Sequence, residues 1–246
     1  MEDRAIAIIK SARSVSFKWF RASFKADNNM KDALDYGHVV IDTISKLDQY
    51  LYTYGPMIQS QWEQVASYLI QIDPPTTWID YGCGQGLAGL LVSDITNGRL
   101  FSLVREIFLI EPSSLALARS SAIYERISPR ATVNSICKRF DEVRDSDVVS
   151  ARSAHTLHVF SNSLDIPGFN PLKLLAKTLR PGRHTILSVS HNRDFNGGTP
   201  RIESVRAAFE ASTLAIKRST IDPFTCDNQR KSEGVIWLCE FEVEDG

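Results

Sequence analysis

Two acids and a run of glycines are the residues of this sequence best suited to chemistry. Asp80 sits in a short stretch of strand-forming side chains, Thr77 to Tyr81, and the turn Gly82-Cys83-Gly84-Gln85-Gly86 follows at once. Glycines permit a tight turn with positive φ and let a ligand approach the bare backbone. The apolar run Leu87 to Val92 behind them suits a buried helix, whose free N–H groups carry a partial positive charge. Glu111 ends a second apolar run, Ile107 to Ile110, 25 residues beyond Gly86. A carboxylate in that place can accept hydrogen bonds from both hydroxyls of a ribose, or cap the helix expected from Ser113 to Ile123. Asp80 suits a ligand bearing an ammonium group and hydroxyls, and would repel a pyrophosphate. Together these residues describe a nucleoside site of unusual charge preference.

Two registers of the glycines are open. Gly84-x-Gly86-x-x-Gly89 matches the dinucleotide pattern, which expects its first glycine directly after the strand. Asp80-x-Gly82-x-Gly84-x-Gly86 resembles motif I of the class I S-adenosylmethionine-dependent methyltransferases. That resemblance implies that S-adenosylmethionine is the cofactor. Gly82, Gly84 and Gly86 would admit its amino-acid portion, Asp80 would order the loop or meet the ammonium group, and Glu111 would hold the ribose. It also places Cys83, Pro112, Cys137, Lys138 and Ser161 beside the cofactor. The family often has an acid for the adenine amino group soon after the third strand. Here Lys138 and Arg139 come first and Asp141 and Glu142 only later, so backbone groups of residues 136 to 138 are the expected alternative.

The elements that must position these residues read as an α/β alternation. Strands are expected at the glycine motif, at 106–111, at 131–137, at 155–160 and at 184–190. A closing antiparallel pair is expected at 215–221 and 235–243. Leu179-Arg180-Pro181-Gly182 before the fifth strand is a second point of resemblance to the family. The fourth strand runs into Ser161-Asn162-Ser163-Leu164-Asp165. Reactive chemistry in open α/β sheets lies beyond the carboxyl ends of the central strands, so Asn162, Asp165 and His191 are candidates for positioning or deprotonating an acceptor. Arg193 and Asp194, on the loop that begins at His191, are further substrate-side candidates. His155 and His158 stand three apart on a strand, point to opposite faces, and read as core or surface residues rather than a metal pair.

Ahead of the glycine motif the chain reads as helical. Residues 4 to 25 form one expected amphipathic helix, with Ile6, Ile9, Phe17, Phe20 and Phe24 on one stripe and Lys10, Arg13, Lys18, Arg21 and Lys25 beside it. Residues 1–31 hold seven Lys or Arg against three Asp or Glu. This stripe is either a surface for RNA or an acidic partner, or the solvated side of a docked helix. Asp27-Asn28-Asn29 is an expected break and cap, a second helix is expected at 31–50, and Gly55-Pro56 is expected to end the segment before a third at 57–71. The resemblance makes Tyr52, Tyr54 and Gln59 candidate lid or substrate residues.

The 246 residues carry 43% hydrophobic side chains and a formal net charge of −1, ordinary for a globular chain and no global argument for nucleic acid or membrane. Four scattered cysteines, without zinc spacing, read as reduced thiols of a cytoplasmic protein. No apolar run is long enough for a transmembrane helix. The expected architecture is a doubly wound, Rossmann-like seven-stranded α/β sheet with an antiparallel closing hairpin. A helical N-terminal extension (1–55) precedes the cofactor-binding domain (56–246). The implied function is methyl transfer to an unidentified acceptor, which could be RNA, a small molecule or a protein. A nicotinamide oxidoreductase and a non-catalytic binding module are the alternatives.

Overall fold

A computed structural model describes residues 4–244 apart from 25, 27–29, 31, 38, 150–153, 196 and 228–230. Its centre is β1 (Thr77–Tyr81), buried at every position. Parallel neighbours flank it on both sides: β2 (Glu106–Ile110) on one, β4 (His155–Ser161) on the other. β3 (Thr132–Ile136) extends the sheet beyond β2, and β5 (Gly182–His191) extends it beyond β4. β7 (Glu233–Val243) then inserts antiparallel between β5 and β6 (Ala215–Thr225), giving the order β3-β2-β1-β4-β5-β7-β6. Pro223 is tolerated because β6 is an edge strand, where a missing donor faces no partner. The architecture is therefore the doubly wound seven-stranded sheet with a closing antiparallel pair.

Strand order reverses at β1, because the chain leaves toward β2 and β3 and later returns to β4 and β5. Tyr81 is in register with Ile110 on one side and Phe160 on the other. Such a switch point opens a crevice beyond the carboxyl ends of the strands, and the glycine turn sits there. Helices α5 (Leu87–Thr96), α6 (Ser114–Ile127), α7 (Pro171–Thr178) and α8 (Gly198–Glu210) cover the two faces.

The N-terminal region departs from the sequence reading. In place of one helix there are two, α1 (Arg4–Ser11) and α2 (Phe17–Ser23). Ser16 caps α2 by accepting from the Trp19 N–H at 3.2 Å, a local bond that competes with continuing α1. Ile9, Phe17 and Phe20 are fully buried, so the apolar stripe packs although the helix is broken. The expected cap at Asp27-Asn28-Asn29 lies outside the described residues, as does Lys25. The helix expected at 31–50 is a short 3₁₀ turn, Asp32–Gly37, followed by α3 (Ile44–Gln64), which Thr43 caps.

Gly55-Pro56 does not end a helix. Both residues lie inside α3, which runs on to Gln64 before α4 (Ala66–Gln71) begins. A Cβ on Gly55 would stand 3.3 Å from the Phe17 ring, so the glycine serves close packing of α2 on α3. Pro56 is on the exposed side of the helix, where water can take the carbonyl its ring leaves unpaired. The boundary expected between residues 55 and 56 thus falls within one continuous helix.

Candidate cofactor site

A cavity of about 270 Å³ occupies the crevice at the switch point. Its floor is Gly82, Gly84, Gln85 and Glu111, and Ser161 and Asn162 close it on the β4 side. Val39, Val40, Ile41, Leu47 and Tyr50 form a roof, and Arg139, Phe140 and Asp141 stand at the end nearest β3.

The glycine loop is shaped by β2. Gly82 and Cys83 both donate to the Ile110 carbonyl, at 2.8 and 3.2 Å. The backbone reaches φ +50° at Gly84, which favours glycine, and a Cβ there would meet nothing within 4 Å. The loop thus presents bare backbone to open space. Glu111 holds this arrangement: one carboxylate oxygen accepts from the Gly84 N–H at 3.1 Å, the other from Ser113 N–H at 2.9 Å. Burial raises the Glu111 carboxyl above its ordinary value, and these two N–H groups oppose the rise.

Asp80 lies one layer below, fully buried. One oxygen accepts from the Tyr124 hydroxyl at 2.7 Å, and the other has no partner among the described residues. Burial pushes its carboxyl up to about 7, against the Tyr124 hydrogen bond and with help from the nearby Glu111 charge. Tyr124 crosses α5 where Gly89 leaves room: a Cβ on Gly89 would stand 2.3 Å from the ring. Gly89 therefore has a packing role that does not depend on a dinucleotide. Cys83 is buried, its thiol pushed up first by burial and then by Asp80 and Glu111, which leaves it poorly suited as a nucleophile.

The remaining sequence candidates separate into three groups. Gly82, Gly84, Glu111, Pro112, Ser161 and Asn162 line the cavity. Gly86 does not line it, but ends the turn by donating to Cys83 O at 2.8 Å and opens α5. Cys137 is exposed with its sulfur 3.5 Å from Pro112 O, and Lys138 is drawn aside into an ion pair with Asp147 at 2.7 Å. A 3₁₀ turn, Phe140–Glu142, brings Phe140 and Asp141 to the cavity instead. Of the two acids that follow Lys138 and Arg139 in the sequence, Asp141 lines the cavity and Glu142 does not.

Beyond the carboxyl ends of β4 and β5, side chains are engaged with one another. Asn162 sits at φ +53° and exchanges hydrogen bonds with the buried Gln61, at 2.8 and 3.3 Å. Ser161 accepts from the Trp62 indole at 3.1 Å. Asp165, 2% exposed, pairs with Arg193 at 2.9 Å and accepts from the Ser190 hydroxyl at 3.2 Å. Asp165, Arg193 and His191 are not among the cavity-lining residues. Burial lowers the His191 imidazole below its ordinary value. Tyr52 is 56% exposed, and Tyr54 packs on Tyr50 with ring centroids 5.0 Å apart. Neither lines the cavity; Tyr50 does. Gln59 is spent on Glu63 at 2.8 Å.

Tyr50, Gln85, Phe140 and the roof at residues 39–41 were not singled out from sequence for this site. Their roles depend on contacts across the fold. The Ser113 hydroxyl donates to the Ile41 carbonyl, and no local pattern announces that bond.

No protein-family model matches the chain, and no curated protein matches its sequence. Solved structures do resemble it at 10–15% identity. A SAM-dependent methyltransferase of Leishmania major aligns over 84% of this chain and 81% of its own, at 15% identity and TM-score 0.48. The plantazolicin methyltransferase BpumL, solved with a desmethylPZN analog and SAH, aligns over 96% and 97%, at 13% and 0.47. Magnesium protoporphyrin IX methyltransferase of Synechocystis, solved with SAM, aligns over 93% and 99%, at 10% and 0.45.

Proposed function

We propose that this chain binds S-adenosylmethionine and transfers its methyl group to an acceptor. The observation that carries the reading is Glu111. It stands at the carboxyl end of β2, anchored by two backbone N–H groups, beside open space at Gly84. A carboxylate has about four lone-pair sites, so two remain for the ribose hydroxyls. Asp80 does not line the cavity, but its carboxyl lies buried one layer beneath the floor, and in its ionised form it favours a cation above it and disfavours a pyrophosphate. That favours an ammonium-bearing nucleoside over a nicotinamide dinucleotide. Phe140 offers a face to the adenine and Asp141 an acceptor for its amino group, from the wall they share at the β3 end.

The bound cofactor supplies a methyl group already activated by its sulfonium. The protein's part is alignment and exclusion of water. Val39 to Ile41, Leu47 and Tyr50 cover the cavity for this purpose. Asn162 is the candidate nearest an acceptor, held by Gln61 in a left-handed conformation. Asp165 acts through Arg193, holding the loop after β5 against the loop after β4. In this reading a base is needed only for an acceptor that arrives protonated, and His191, kept neutral by its partial burial, is the remaining candidate.

A second reading, a cofactor-binding module without chemistry, is favoured by one observation: the Asn162 and Asp165 side chains are already committed within the protein. Incubating cell extract and purified protein with methyl-labelled cofactor separates the two. Label in a distinct RNA, protein or metabolite fraction supports transfer and identifies the acceptor class. Saturable cofactor binding with no labelled product supports the module.

A further inference from the structure

The residue between the last two glycines of the loop, Gln85, is 1% exposed and makes contacts that a nucleoside site does not require. Its amide N–H donates to the Leu47 carbonyl at 2.9 Å, 38 residues earlier in the chain. Its carbonyl accepts from Arg119 at 3.2 Å. Arg119, on α6, has no exposed surface. It also donates to Asp48 at 2.7 Å, and its guanidinium lies over the Phe24 ring at 5.2 Å. Burying a guanidinium is costly unless its partners are fixed, so this cluster holds one arrangement of α3 against the loop. Ser113 adds a parallel tie. Its N–H holds Glu111 and its hydroxyl holds the Ile41 carbonyl. Thus the two floor elements, the glycine loop and Glu111, each grip the roof, at Leu47 and at Ile41.

We propose that Gln85 and Ser113 are positioning residues that lock the segment 39–50 over the cavity, so that closing the roof and retaining the cofactor are one event. The locking follows from the contacts alone; its consequence for the cofactor rests on the function proposed above. A ligand that orders the loop and Glu111 therefore also orders the N-terminal segment, and loosening the roof shortens ligand residence.

The test uses the full chain with Gln85→Leu, which removes both bonds at similar volume, and Gln85→Glu. The second variant keeps an acceptor for Arg119 but sets an oxygen against the Leu47 carbonyl, so it covers the case in which the leucine variant folds poorly. Hydrogen exchange without ligand is expected to speed up about tenfold at residues 40–50, the scale of one buried hydrogen bond. Exchange in β1 and β4 should be unchanged. S-adenosylhomocysteine should dissociate about tenfold faster from the variants. Unchanged exchange at 40–50, or a uniform rise along the chain, overturns the lock. A wild type that does not bind S-adenosylhomocysteine would defeat the proposed function, while the exchange data would still decide the lock.

Discussion

The Tyr124 hydroxyl reaches Asp80 at 2.7 Å only because residue 89, between them on α5, has no side chain. This places a buried carboxylate beneath the cofactor loop with one oxygen satisfied and one not. Its charge is therefore expensive to hold in this buried position.

That expense has a sign. Asp80 is raised by burial from 3.8 to about 7. Between roughly pH 4 and 7 the folded chain holds a proton that the unfolded chain does not. The group's contribution to stability is complete below about pH 4 and is lost as pH rises through about 7. The loss is on the order of 4 kcal/mol. Asp80→Asn, which still accepts from Tyr124, should gain stability relative to wild type at pH 8 and lose most of that gain at pH 5. Urea titrations at the two pH values measure it; an equal difference at both would remove the charge from the account.

Glu111→Ala should weaken binding of S-adenosylhomocysteine by about 1.5–3 kcal/mol, the scale of hydrogen bonds to a charged partner. Part of that arises because Gly84 and Ser113 lose their acceptor. Calorimetry on the folded variant decides it, and an unchanged dissociation constant would take Glu111 out of the site.

His184 Nε2 lies 2.6 Å from the Arg180 carbonyl, which can only accept, so Nε2 carries the proton. Its Nδ1 then accepts from His158 Nε2 at 2.9 Å, and His158 Nδ1 accepts from the Tyr81 hydroxyl at 2.9 Å. Both rings are neutral. Burial lowers both below 6.5, and lowers His155 to about 4. Their contribution to stability is complete above pH 6.5 and is lost as pH falls through the folded values. The midpoints of the His158 and His184 imidazole resonances should lie below 6.5, and a midpoint at or above 6.5 for either would contradict this chain of bonds.

Phe20 is fully buried, whereas Lys10 is 57% exposed and pairs with Glu125 at 3.4 Å. Phe20→Ala should cost roughly 3–5 kcal/mol, and Gln at Lys10, Arg13, Lys18 or Arg21 no more than about 0.5 kcal/mol each. If the basic side also docks RNA, the quadruple Gln variant should show a shallower salt dependence of binding than wild type. Equal slopes, or no RNA binding by wild type, would leave those charges as solvated surface.

What could be read from sequence was what local pattern controls. Residues 77–90 dictate a strand, a glycine turn and a buried helix whatever surrounds them, and Ile107 to Ile110 must be a buried strand ending on an acid. The helical region was harder because packing overrode punctuation there. Gly55-Pro56 reads as a stop but is a contact point for Phe17, and Ser16 starts a new helix inside an apparently continuous amphipathic pattern. The roof, the Gln85–Arg119–Asp48 cluster and the Asp165–Arg193 pair join residues 28 to 72 positions apart. Spacing along the chain carries no sign of such contacts.

The cofactor is the central claim, and titrating the purified chain calorimetrically with S-adenosylhomocysteine and, separately, with NAD tests it most directly. Saturable binding of one S-adenosylhomocysteine per chain, weakened in Glu111→Ala, is expected, with no measurable heat from NAD. Tight NAD binding with none for S-adenosylhomocysteine would contradict it.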